Sequence, residues 1–139
     1  MLYVLIQFSL LGYMIYNTPW MDSGRISFVF FFLSIILGLW AFKSMGLSSF
    51  SVFPDPKTTG KISLSGPYKH VRHPMYTSVI LFSIGMIIAN PVWQMYLAVI
   101  VLIIDLLFKL SYEEKKLLEK FETYREYKKN SWSLLPFIY

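Results

Sequence analysis

The chain has 139 residues, enough for one domain, of which 55% are hydrophobic and only 15% charged. Soluble domains carry about 25% charged residues, and twelve Phe, ten Tyr and four Trp are more than so small a core can hide from water. This excludes an ordinary soluble domain, and the absence of cysteine excludes a disulfide framework, a thiolate metal site and a cysteine nucleophile.

The composition predicts an all-α membrane protein, a single membrane domain over 1–139, with lipid covering its apolar surface. The net charge of +5 is clustered at segment ends, which suits anionic lipid headgroups and not nucleic acid. About four transmembrane helices are expected, followed by a C-terminal interfacial amphipathic helix.

The first span covers 2–16, interrupted in polarity only by Gln7 and Ser9. It is short against the ~20 residues of a usual span, but tolerable if its ends lie in the interface. The start lacks the basic residues and cleavage site of a signal peptide, so the run is read as a retained helix. Asn17-Thr18-Pro19 punctuates it, Trp20 fits an interfacial anchor, and Asp22-Ser23-Gly24 reads as a turn. The second span, 26–42, carries no charge and ends at Lys43. Its Ser34 and Gly38 stand four apart, a small-residue spacing that also arises commonly by chance.

A polar connection follows over 43–74, rich in Ser, Pro and Thr and expected to be cytosolic. Loops this long are often binding loops, and Phe50, Val52 and Phe53 suit it to the bilayer surface. The third span, 75–89, opens on Pro74, which loses no needed hydrogen bond at a helix start. Asn90-Pro91 then makes a tight break before the fourth span, 92–110. A turn so short dictates a helical hairpin, which returns Glu113 towards Arg72 and His73.

The tail, 111–139, is expected to be cytosolic. Leu117, Leu118, Phe121 and Tyr124 form an apolar stripe at helical spacing, and the chain end from Leu134 to Tyr139 is expected to pack on the loop or the bilayer. Lys43, Lys57, Lys61, Lys69, Arg72, Lys109 and the basic tail fall on one side, and Arg25, offset by Asp22, on the other. The positive-inside rule then puts both termini and both polar clusters in the cytoplasm. The expected location is integral and multi-pass, in the plasma membrane of a prokaryote.

Two clusters carry candidate chemistry. In Gly66-Pro-Tyr-Lys-His-Val-Arg-His-Pro-Met-Tyr76, Lys69 and Arg72 read as anion binders, although Lys69 also fits a basic collar at a membrane edge. His73, before a proline at a helix start, is interfacial and not core. His70 and His73 with no third neutral ligand fall short of a catalytic metal site, so no metal is expected. The second cluster is Tyr112-Glu113-Glu114, whose carboxylates suit ribose hydroxyls or an ammonium group. Asp105 lies about 6 Å deeper along its helix than Lys109, and intramembrane carboxylates are costly and usually partnered or functional. Asp105, Lys109 and Glu113 share one helix face, and Asp105 is either a structural partner of Lys109 or part of the site. Together these residues suit a small zwitterionic ligand.

GPYKHVRHPMY, the apolar hairpin, YEEKKLLEKFETYREYKK and the ending LLPFIY resemble the isoprenylcysteine carboxyl methyltransferase-like family of membrane methyltransferases, a group that includes phospholipid N-methyltransferases. The resemblance spans Gly66 to the C-terminus. It implies S-adenosylmethionine as methyl donor, bound at the cytosolic edge by the last hairpin and the tail. By position, Tyr68, His73, Pro74, Tyr76, Glu113 and Glu114 fall to cofactor binding, and Arg72 and Glu113 to catalysis; Asp105, from its own place on the helix, is a further catalytic candidate, since an amine acceptor must lose a proton. The implied acceptor is a lipophilic small molecule or lipid, either an isoprenylcysteine-like carboxylate or a lipid amine, with membrane lipids as the other partner. Ser78 stands where the family often has Gly, and Ser133 where many members carry an arginine, which weighs against a prenylcysteine acceptor. The rival readings are a membrane reductase with a nicotinamide cofactor and a non-catalytic lipid-binding protein.

Overall fold

The computed structural model describes residues 2–45 and 64–134. Among them the chain is helical: α1 Leu2–Tyr16, α2 Arg25–Met45, a 3-10 turn Gly66–Lys69, α3 Pro74–Ala89, α4 Trp93–Lys120 and α5 Tyr124–Lys129. The expected boundaries at 2–16 and 75–89 fall within a residue of α1 and α3. The second helix runs past Lys43 to Met45, since a lysine near a helix C-terminus favours its dipole. By length and composition α2 and α4 are apolar enough to cross a membrane, while α1 and α3 are shorter apolar helices. The connection 46–63, with Phe50, Val52 and Phe53, and the chain end 135–139 lie outside the described residues.

The helices pair as α2 on α3 and α1 on α4, with α3 and α4 in contact across the middle. Glycine makes the first pairing close. A Cβ at Gly85 would come within 2.6 Å of the Phe31 ring, and one at Gly38 within 3.3 Å of the Ser78 hydroxyl. Ser34 is buried as well, so the Ser34–Gly38 spacing is a packing feature and not a chance one. Met14, Phe31, Met86, Met95, Ala98 and Val99 fill one half of the core. Tyr76, Leu102, Leu106, Leu110 and Leu134 fill the other, bringing the tail into it.

The outward faces remain apolar: Phe28, Phe32, Ile35 and Leu39 on α2, and Leu97, Ile100, Ile104 and Phe108 on α4, are exposed. Such a continuous apolar surface needs a non-aqueous environment. Trp20, expected as an anchor, is half exposed, bonded to the Ile15 carbonyl at 3.1 Å and packed on Phe31.

At one end of the bundle Asn90 donates to the Asn17 carbonyl at 2.8 Å, joining the α3–α4 turn to the end of α1. At the other end the end of α2, the start of α3 and the far part of α4 converge. There the 3-10 turn seats on α2 through Gly66, whose φ of +57° favours glycine. A side chain at Gly66 would also overlap the Ser44 hydroxyl and approach the Trp40 indole nitrogen to 2.9 Å.

α4 ends at Lys120, Phe121 is extended, and the chain restarts as the short α5. The expected stripe is therefore divided, with Tyr124 fully buried and Leu118 exposed. No Gly or Pro marks this break. It is set by the tail, which turns back so that Tyr124 is buried and Ser131 to Leu134 lie along the start of α3.

Gly66→Ala combines left-handed strain of about 1–2 kcal/mol with the overlap at Trp40 and Ser44. The variant is expected to unfold several degrees lower in detergent, read by tryptophan fluorescence, while Gly24→Ala, in open space, is expected to leave the midpoint unchanged.

Candidate functional site

Three segments meet at the convergent end: the turn and start of α3, the far part of α4, and the tail. Val71 and Trp132 form a single parallel bridge. Trp132 N–H donates to His70 O at 2.8 Å, Arg72 N–H to Trp132 O at 2.8 Å, and His73 N–H to Ser133 O at 3.0 Å. One turn on, the Thr77 hydroxyl donates to Leu134 O at 2.6 Å. The tail is thus held by backbone groups over the histidine–proline motif, which spacing along the sequence does not reveal.

Glu114 stands at the centre, one turn past the apolar part of α4, and is buried. Arg72 Nε donates to its Oε1 at 2.7 Å, and Lys128 Nζ lies 2.6 Å from its Oε2. Arg72 also donates to the carbonyls of Lys128, at 3.0 Å, and Ser131. His73 lies between the two glutamates, with Nδ1 3.7 Å from Glu113 Oε2 and Nε2 3.4 Å from Glu114 Oε1. Both contacts lie outside hydrogen-bond geometry, and Nε2 has no hydrogen-bond partner. The His73 ring stacks on Tyr76 at 5.4 Å and 5°, and the Tyr76 hydroxyl donates to Glu113 Oε1 at 2.6 Å.

Burial pushes the Glu114 carboxyl up, but His73, Lys128 and Arg72 outweigh it and hold the group well below the usual carboxylate range. It is ionised at neutral pH. Burial also raises the Tyr68, Tyr124 and Tyr127 hydroxyls, Tyr127 to about 12, so all three are protonated at neutral pH. Tyr127 uses its proton to bond the Tyr68 carbonyl at 2.5 Å, which ties α5 to the 3-10 turn. A cleft of about 340 Å³ opens beside Glu114, lined by Arg72, Glu114, Lys128, Ser131, Trp132 and Ser133. It is within the size range of small-molecule sites.

Of the residues singled out from sequence, Arg72, His73, Tyr76, Glu113 and Glu114 come together. Pro74 opens α3, and Tyr68 is buried in the turn, its hydroxyl without a hydrogen-bond partner. The anion that Arg72 meets is the protein's own Glu114, and Lys69 is exposed, as a collar residue is. Asp105 lies apart, eight residues and about 12 Å of helix below Glu113, buried and with Oδ2 unbonded. The Asp105–Lys109 pair, one of the two readings of Asp105, is not made as a salt bridge, and the two charges act on each other only at longer range. Lys109 instead donates to Gln7 of α1 at 3.1 Å and lies 5.1 Å from the centre of the Tyr76 ring. A lysine stem flexible enough to choose among partners takes the neutral amide and the ring face. Sequence reading missed Lys128 and Ser131. The only signal was a basic tail able to fold back, and nothing distinguished Lys128 from Lys129.

Apolar-faced helices closing on a charged cleft at one end define a membrane-associated helical protein. The family model described as phospholipid methyltransferase matches residues 24–124. The chain belongs to that family and is a methyltransferase, and the match supports neither the reductase nor the non-catalytic reading. No curated protein and no solved structure matches it.

The ionisation of Glu114 links stability to pH. Its folded-state pKa is depressed, so its contribution is complete above the unfolded carboxylate value of about 4.3 and is lost as pH falls through the folded value. Thermal unfolding in detergent is expected to show Glu114→Gln destabilised by about 3 kcal/mol at pH 7. The gap to the unsubstituted protein should narrow below pH 4, and an equal gap at pH 7 and pH 3 would contradict the assignment.

Proposed function

We propose that this chain is an S-adenosylmethionine-dependent methyltransferase that methylates a lipophilic acceptor at the cytosolic edge of the membrane. The observation that carries the reading is the meeting of the Arg72-His73-Pro74 motif with the Glu113–Glu114 pair beside a cleft, in a chain of this family. The donor has an amino-acid end, which needs a carboxylate for its ammonium and cationic or N–H donors for its carboxylate. Glu114, with the unbonded Nε2 of His73 and the guanidinium of Arg72, fits that demand. When bound, the donor supplies a methyl group on a sulfonium that is already activated.

The protein's share of the work is alignment and exclusion of water. His73 and Tyr76, stacked, form a rigid wall, and the tail strapped across them keeps water out of that side. A carboxylate acceptor needs no base, whereas an amine must lose a proton. Glu113, hydrogen-bonded by Tyr76, is the carboxylate suited to accept it. Among the acceptors considered, a lipid amine suits this arrangement better than a prenylcysteine carboxylate. Ser133 supplies no cation for an acceptor carboxylate, and Arg72 is assigned to the donor. The acceptor arrives from the bilayer, between helices whose outer faces are apolar.

With the bilayer thinned around the short α1 and α3 and their ends in the interface, four spans put both polar clusters on one side, and the lysine distribution favours the cytosolic side.

Two measurements test this reading. His73→Ala is expected to weaken S-adenosylmethionine binding by about 1–3 kcal/mol in calorimetry. Glu113→Gln is expected to keep donor affinity within a few-fold and to lower transfer of labelled methyl to membrane lipid about a hundredfold. Unchanged donor affinity in the first variant and full activity in the second would reject the assignments. For topology, the chain has no cysteine, so Lys129→Cys gives a single reporter. It should resist an impermeant thiol reagent added to intact cells and react after permeabilisation.

A further inference from the structure

The two cations on Glu114 are held very differently. Arg72 Nε bonds Oε1, and its Nη1 donates to the Lys128 and Ser131 carbonyls, so it is tied to the tail backbone. Lys128 touches Glu114 through its side-chain ammonium alone, at 2.6 Å, and that side chain is 42% exposed against 7% for Glu114. The pair stands on the wall of the cleft. One partner is therefore buried and fixed, and the other is a flexible ammonium in reach of water.

We infer that Glu114 Oε2 is the subsite for an α-ammonium group, the amino end of the methyl donor, and that Lys128 occupies it as an internal stand-in which the donor displaces. This rests on the donor reading proposed for the site. The chemistry of the exchange is balanced. An α-ammonium carries the same charge and the same three N–H donors as a lysine ammonium. Arg72 stays on Oε1 throughout, and one ammonium or the other satisfies the second buried oxygen, Oε2, which is costly to leave without a donor. Lys128 returns to water at little cost because its side chain is already partly solvated and makes no second ion pair among the described residues. Its backbone carbonyl stays on Arg72, so the side chain can leave without unseating α5 or the tail. No covalent bond changes.

The exchange has a measurable consequence. The donor competes with Lys128, so its apparent affinity is lowered by the fraction of time Glu114 is already occupied. Removing the lysine should therefore tighten binding, whereas binding would weaken if Lys128 held the donor's carboxylate. The experiment is calorimetry in detergent with S-adenosylhomocysteine, which shares the amino-acid end, and with its analogue lacking the α-amino group. Lys128→Gln is expected to bind S-adenosylhomocysteine about three- to tenfold more tightly than the unsubstituted protein, with no gain for the des-amino analogue. Lys128→Arg, which keeps a cation on Glu114, is expected to show no gain and keeps the test valid if the glutamine variant unfolds. Weaker or unchanged binding in Lys128→Gln, a gain in Lys128→Arg, or an equal gain for both compounds would overturn the inference while leaving the donor reading intact. If neither compound binds the unsubstituted protein or either variant, the donor reading itself fails and the subsite with it.

Discussion

A single buried carboxylate, Glu114, sets the arrangement of the convergent end. Leaving an ionised group away from water costs several kcal/mol unless opposite charge and hydrogen bonds compensate it. Glu114 meets that demand by drawing Arg72 from the start of α3 and Lys128 from α5. Arg72 then directs its Nη1 to tail carbonyls, which brings Ser131 to Leu134 alongside the motif. The tail strap and the cleft both draw on the pairing of one carboxylate. The groups proposed to meet a charged ligand are also the ones that hold the segments together.

The rest of the bundle supplies the frame that makes this closure possible. Small residues let α2 and α3 approach, with Phe31 lying against Gly85, and so fix where the histidine–proline motif begins. The three residues 90–92 between α3 and α4 force the helices antiparallel, and the bond from Asn90 to the Asn17 carbonyl ties that turn to α1. α1 also reaches the polar interior through Gln7, which receives Lys109. This sets the Lys109 charge over the Tyr76 ring, whose hydroxyl engages Glu113. A helix that precedes the family-matched residues is thereby connected to the candidate site through two side chains.

The sequence by itself determined the helices, their order and the meeting of the two motifs. Each apolar run is bounded by polar or breaking residues, Pro74 opens α3, and Asn90-Pro91 permits only a hairpin. Once those are set, helix length alone returns Glu113 and Glu114 to Arg72 and His73. The partners within the site were decided only in three dimensions. Glu114, and not Glu113, took Arg72 because of the direction each side chain leaves α4, and Lys109 chose Gln7 over Asp105 because α1 packs there. Lys128 was indistinguishable from its neighbours until the chain broke at Phe121 and turned back. Periodicity encodes which face of a helix is apolar. A long cation on a flexible stem has several carboxylates and carbonyls in reach, and only the packed tail determines which of them it meets.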